Sequence, residues 1–277
     1  ESHRVFPSFL TIINDATGGG YASGNIYTIY GKSGRGKSVI TIYEATYAAM
    51  NGANVLVWSM EMGAYETVTR IYSFISAMVG IATEEIHGVE YGAGFSSDQL
   101  RSGQLDSATE AEFFRMLKEI GKHIKGNITV RGVDDPDFTR RDLEQLKFDI
   151  EETQADIVVV DPFYYLDYEI NTSKTAGGDA AATSQRLRRL AGETETVVFA
   201  ITQADETDDM EDENEMRILE TPARKDVTKT KQLLQDAALL IGIDTDYKQK
   251  LGIVSLNKGR HGGEGDQAEI IYIPSKG

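Results

Sequence analysis

Gly31-Lys32-Ser33-Gly34-Arg35-Gly36-Lys37-Ser38 fits the pattern G-x-x-x-x-G-K-[ST], which works chemically only where an apolar strand ends and a helix begins. Both flanks are present. Ile26-Tyr27-Thr28-Ile29-Tyr30 reads as a buried strand, and Val39, Ile40, Ile42, Tyr43 and Tyr47 recur at helical spacing behind it. Glycines let the backbone curl until successive N–H groups face a phosphate chain, and the helix N-terminus adds its dipole. Gly31, Ser33, Gly34, Arg35 and Gly36 are thus expected to cradle the phosphates of ATP or GTP. Lys37 would reach the β- and γ-phosphates, and Ser38 would ligate Mg²⁺.

A loop of this kind implies an α/β chain, and the remaining pattern agrees. Ala53 to Ser59, Asn127 to Arg131, Asp156 to Asp161 and Thr196 to Ile201 read as strands. Further strands follow over Ala238 to Ile243, Leu251 to Asn257 and Ala268 to Ile273, the last two flanking a Gly-rich turn as a hairpin. Helical spacing fills Ala64 to Val79 and Ala108 to Ile124. Thr139, with Asp142 three residues on, reads as the N-cap of another helix, whose buried face carries Leu143, Leu146 and Ile150. Two strands are continuous apolar runs ended by polar residues, as in the middle of a parallel sheet. The expectation is a P-loop α/β fold: a mostly parallel twisted sheet with helices on both faces and a C-terminal β-hairpin. Its 277 residues are read as one domain, with 1–24 as an entry segment. The stretch from Gly80 to Ser107 is the least legible.

Composition narrows the chemistry. There is no cysteine, which removes disulfides, thiolate metal sites and cysteine nucleophiles. No apolar run is long enough to span a bilayer and no leader pattern opens the chain, so a cytoplasmic protein is expected. The formal charge of −16, from 44 acidic and 28 basic residues, means that any nucleic-acid site is local. Much of the excess falls between Asp205 and Glu215, which reads as a solvated, mobile loop.

In doubly wound sheets ligands lie at the carboxyl ends of the strands, where the remaining candidates fall. Asp161 ends a Val-Val-Val run and is placed to hold Mg²⁺ against the terminal phosphates. Pro162 follows, so no second carboxylate is adjacent. Glu61, in Trp58-Ser59-Met60-Glu61-Met62, is the best candidate for the base that activates water. Gln203 is a polar tip on a buried strand, suited to the γ-phosphate or the water. Lys258 and Arg260 are paired cations on the hairpin turn, suited to insertion into a neighbour's nucleotide site.

Taken in order, these boxes resemble the RecA-like motor domain, at the C-terminal end, of DnaB-type hexameric replicative helicases. The similarity runs through Gly31 to Ser38, Trp58 to Met62, Val158 to Asp161, Ile201 to Gln203, Gln235-Asp236-Ala237 and Lys258 to Gly262, and Arg101 to Leu105 resembles a stretch of the family's middle region. The resemblance implies an ATP- and Mg²⁺-dependent DNA helicase of replication. In it Lys37 and Ser38 bind phosphates and metal, Asp161 supports the metal, Glu61 activates water and Gln203 senses the γ-phosphate. Lys258 and Arg260 act in trans, so the active form is a homo-oligomer, a hexamer by analogy. Single-stranded DNA would meet the channel loops Asp167 to Ser184 and Ala204 to Lys231, with Lys229 and Lys231 on its phosphates. A primase or a helicase loader is a partner in such systems. The acidic run inside the second loop and Pro162 depart from the family's pattern, and the family's N-terminal domain is expected to be absent. A RecA-type recombinase and a KaiC-like regulatory ATPase share the fold and stand as alternatives.

Overall fold

The computed structural model describes residues 3–80, 82–86, 89–93, 107–170, 178–257 and 264–271. Its centre is an eight-stranded sheet, preceded by a two-stranded ribbon of β1 (Val5–Phe6) and β2 (Tyr21–Ala22) that brackets helix α1 (Thr11–Thr17). The sheet begins with β3 (Asn25–Gly31), followed by α2 (Lys37–Met50), β4 (Asn54–Ser59) and α3 (Ala64–Met78). A separate antiparallel ribbon, β5 (Ala82–Ile86) with β6 (Val89–Ala93), leads on to α4 (Ser107–His123) and β7 (Asn127–Gly132). Next come α5 (Leu143–Thr153), β8 (Ile157–Asp161), α6 (Gly178–Thr194) and β9 (Val197–Gln203). The short α7 (Lys231–Asp236) precedes β10 (Leu239–Asp246), β11 (Leu251–Asn257) and β12 (Glu264–Ile271).

The spatial order is β12-β11-β10-β3-β9-β8-β4-β7. Every pairing from β10 to β7 is parallel, while β10–β11 and β11–β12 are antiparallel. Parallel strands need crossovers, and the helices that make them cover both faces. Because successive residues of a strand face opposite ways, each central strand feeds two cores. Val55, Val57, Ile157, Val159, Val197, Phe199 and Ile201 pack with α2 and α3 on one face. Leu56, Trp58, Val158, Val160, Val198 and Ala200 pack with α5, α6 and α7 on the other. This double burial explains the unbroken apolar runs in the sequence.

The expected strands appear with ends shifted by a few residues, and β11 and β12 pair as the arms of a hairpin. The helix expected after Thr139 has a different cap. It starts at Leu143, and Asp142 accepts a hydrogen bond from the Gln145 N–H at 2.8 Å. Thr139 is excluded from capping because Phe138 is buried against Trp58 and lies under the Arg131 and Arg141 guanidinium groups, which keeps residues 139–141 outside the helix. The acidic segment is solvated but pinned at several points, contrary to the mobile loop expected from its composition. Asp205 and Asp209 accept hydrogen bonds from Thr228 and Arg35, while Asp212 accepts from the neighbouring Asn214 and Met216 N–H groups.

Candidate active site

The turn between β3 and α2 is fixed by backbone demands that only glycine meets. Gly36 caps α2 with φ of 92°, in the left-handed region. A Cβ at Gly31 would lie 2.7 Å from the Ile243 carbonyl oxygen, so a side chain there would push β3 away from β10. Inside the turn, the Lys37 ammonium donates to the carbonyl oxygens of Gly31 and Lys32 at 3.0 and 2.9 Å. Burial pushes its pKa down to about 8, opposed by the charges of Asp161, Glu61 and Glu206. Those four side chains therefore share one electrostatic neighbourhood.

Strand order brings the distant residues together. Gly31 pairs in register with Gln203, and Ser59 with Asp161, so the carboxyl ends of β3, β9, β8 and β4 form one line. Asp161 is only 3% exposed. Burial pushes its pKa up to about 6; the Ser38 hydroxyl, Lys37 and Arg70 pull it back, while Glu61 adds to the rise. Its Oδ1 is buried with no hydrogen-bond partner, an arrangement that is costly unless something is bound there. The donor set suits Mg²⁺. This ion keeps most of its ligands as water and phosphate oxygens and takes only one or two from protein, a demand that Ser38 and Asp161 would meet. Among the described residues no group of three or more acidic or histidine side chains could by itself hold a metal.

Glu61 sits on the turn after β4, exposed to solvent. The turn is held by Ser59, whose hydroxyl donates to the Met62 carbonyl oxygen at 2.8 Å and meets the Thr67 hydroxyl at 3.0 Å. Trp58 anchors the strand below it, donating from Nε1 to Asp149 at 2.9 Å, and Asp149 is also paired with Arg131 at 2.9 Å. The Trp-Ser-Met-Glu-Met box is thus two structural residues and a presented carboxylate.

Sequence reasoning missed Tyr164. Its hydroxyl donates to Gln203 Oε1 at 3.2 Å, which orients the amide so that its NH₂ is free. Burial, then Glu61, raise the Tyr164 pKa to about 12, so it remains a donor. The one available signal was a tyrosine pair that begins three residues beyond Asp161, and nothing in the sequence distinguishes Tyr164 from Tyr165. The Gln235-Asp236-Ala237 box is structural: Asp236 is buried and accepts the Ser184 hydroxyl at 2.7 Å, tying α7 to α6. Lys229 and Lys231 are exposed just before and at the start of α7. Lys258 and Arg260, Arg101 to Leu105, and residues 171–177 of the first channel loop lie outside the described residues.

The chain superposes on a DnaB-like replicative helicase, solved in a study of its interactions with primase, with a TM-score of 0.69 at 19% identity, covering 97% of this chain and 61% of that one. It superposes on a second protein's ATPase domain with a TM-score of 0.65 at 17% identity, covering 92% and 84%. The RadB recombinase gives 0.52 at 16% identity, covering 95% and 94%. These likenesses establish a RecA-like fold, and the chain spans about three fifths of the length of the first helicase. No curated protein matches by sequence. No helix among the described residues is long and apolar enough to cross a membrane. The family model for the DnaB-like helicase C-terminal domain matches residues 7–273, and the chain belongs to that family.

Proposed function

We propose that this chain is the ATP-hydrolysing motor of a replicative DNA helicase, which encircles single-stranded DNA as a homo-oligomeric ring and unwinds the duplex ahead of it. The observation that carries this reading is the line of strand ends β3-β9-β8-β4, which gathers Lys37 and Ser38, Gln203, Asp161 and Glu61 along one edge. Lys37 exchanges the two loop carbonyls it now holds for the terminal phosphates, at little cost because it is already desolvated. Bound Mg²⁺ supplies positive charge to the phosphates, with Ser38 and Asp161 as its protein ligands. Glu61, at the solvent-facing end of the line, accepts the proton of the attacking water. Gln203, its amide oriented by Tyr164, donates to the γ-phosphate or that water.

Lys258 and Arg260 complete the site from the adjoining subunit, which makes hydrolysis depend on assembly. Lys229 and Lys231 contact DNA phosphates, and a primase or a loader is the expected protein partner; the likeness to a helicase studied for its interactions with primase supports the former. Cytoplasmic residence follows from that role. Purified protein is expected to hydrolyse ATP with Mg²⁺, faster with single-stranded DNA, and to unwind a 5′-tailed fork. Lys37→Ala is expected to abolish both. The fold shared with RadB supports a recombinase-type filament as second reading, and DNA-stimulated hydrolysis without fork unwinding would select it. Hydrolysis indifferent to DNA would select a regulatory ATPase and refute the helicase.

A further inference from the structure

The acidic segment has a definite place in the fold. Between Gln203 and α7 the chain makes an excursion whose ends meet: the Asp205 N–H donates to the Asp226 carbonyl oxygen at 2.7 Å, and the Thr228 hydroxyl donates to the Asp205 carboxylate at 2.9 Å. Its outgoing leg lies on the phosphate turn. Lys32 donates to the Thr207 carbonyl oxygen at 2.9 Å and to Asp209 at 3.1 Å. Arg35 donates to the other Asp209 oxygen at 2.7 Å and to Asp244 at 3.0 Å. The returning leg is tied to the same acid, since Arg217 and the Glu220 N–H reach Asp244 at 2.7 and 2.8 Å.

Charge therefore alternates through Lys32, Asp209, Arg35, Asp244 and Arg217. A lone exposed ion pair contributes little, but here one carboxylate grips two cations at opposite ends of a short turn, and Lys32 is only 8% exposed. The Thr245 hydroxyl adds a bond to the Arg35 carbonyl oxygen at 2.7 Å, so the backbone is held as well as the side chains. Although partial burial acts upward, the bonds from Arg35 and Lys32 keep the Asp209 carboxyl below the usual range.

We infer that Asp209 is a positioning residue of the nucleotide site: by stapling Lys32 to Arg35 it holds the phosphate turn in its curled, binding-competent shape. This rests on the nucleotide reading above and goes beyond it by assigning the acidic segment to that site. Preorganisation of a binding loop raises affinity because the ordering cost is met before the ligand arrives. The alternative is simple repulsion. An aspartate beside a polyanion site would then weaken binding, and its removal would tighten it. The two accounts predict opposite signs.

The test compares Asp209→Asn with Glu213→Gln, which removes the same charge from an exposed position of the same segment. Nucleotide affinity is read by titration with mant-ADP and Mg²⁺, and turnover by steady-state ATPase. Asp209→Asn is expected to raise Kd and KM about tenfold while kcat at saturation holds within about twofold. Glu213→Gln leaves Kd unchanged or slightly lower, and Asp209→Glu recovers part of the loss. In an Arg35→Gln background Asp209→Asn costs less than it does alone, because the shared contact is already gone. Without nucleotide, amides of residues 33–37 exchange hydrogen faster in Asp209→Asn while those of β8 do not, which separates a loosened turn from a misfolded chain. An Asp209→Asn variant that binds as tightly as the wild type or more tightly, or whose turn amides exchange unchanged, overturns the inference and leaves the nucleotide reading standing. Wild-type protein that does not bind mant-ADP overturns both.

Discussion

Glu44 offers the sharpest quantitative test of how the entry segment is held. It lies on the buried face of α2, where one carboxylate accepts hydrogen bonds from the Ser8 hydroxyl at 2.6 Å, the Phe9 N–H at 3.0 Å and the Tyr21 hydroxyl. Burial dominates these bonds and raises its pKa from 4.5 to about 7. Because the folded state holds the proton more tightly than the unfolded one, the contribution of Glu44 to stability is full below about pH 4.5 and is lost as pH rises to about 7. Across that window the loss is about 3 kcal/mol, at about 1.4 kcal/mol per pH unit. Asp161 contributes a loss of the same sign between 3.8 and about 6, so the difference between wild type and variant isolates Glu44. Glu44→Gln cannot ionise; its amide oxygen still faces the Phe9 N–H, and its NH₂ faces the two hydroxyls, which rotate to accept. Urea denaturation from about pH 5 to about pH 8 is expected to show Glu44→Gln gaining on the wild type by roughly 2–3 kcal/mol as pH rises. A difference that stays constant over that range would refute the reasoning.

Two further outcomes follow from the site. Tyr164→Phe removes the donor that orients Gln203, and a lost hydrogen bond of about 1 kcal/mol should lower kcat about fivefold with nucleotide KM unchanged; steady-state ATPase checks this, and an unaltered kcat would leave Gln203 without an orienting partner. Lys229→Ala combined with Lys231→Ala should weaken single-stranded DNA binding and make the slope of log affinity against log salt shallower by about 1.4, at about 0.7 per phosphate contact. Fluorescence anisotropy at several salt concentrations reads the slope, and an unchanged value would move the DNA contacts elsewhere.

What the sequence disclosed and what it hid divide along the range of the interactions. The strand–turn–helix around Gly31 to Ser38 was legible because its strand, its glycines and its helix are consecutive, and the central strands were legible because double burial leaves an unbroken apolar run. The entry segment was not, because β1, α1 and β2 are too short to carry a periodic signal and are held by groups such as Glu44, 36 residues from Ser8. The cap at Asp142 was misplaced because Thr139 offers the same local chemistry, and the choice was made by burial of Phe138. The acidic segment was misread for the same reason. Its composition reports eagerness for water, but the cations that pin it, Lys32 and Arg35, are more than 170 residues away in the chain.

Strand order is the remaining hidden variable, and it changes how the site works. Glu61 follows the strand next in sequence to β3, which invites the assumption that the two strands are neighbours. In the sheet β9 and β8 stand between them, so the ends of β3 and β4 are three strand spacings apart, roughly 14 Å at about 4.8 Å each. That gap is what a line of reacting groups requires. In the proposed mechanism the phosphates lie at the β3 end and the water at the β4 end, and the strands that carry Gln203 and Asp161 stand between them. Glu61 is nonetheless close enough for its charge to act on Lys37, Asp161 and Tyr164, because the turn held by Ser59 presents it toward the line. If Glu61 is the base proposed above, this separation would keep its carboxylate away from the phosphate oxygens it repels while leaving it within reach of a water between them, which adjacent strands would not provide.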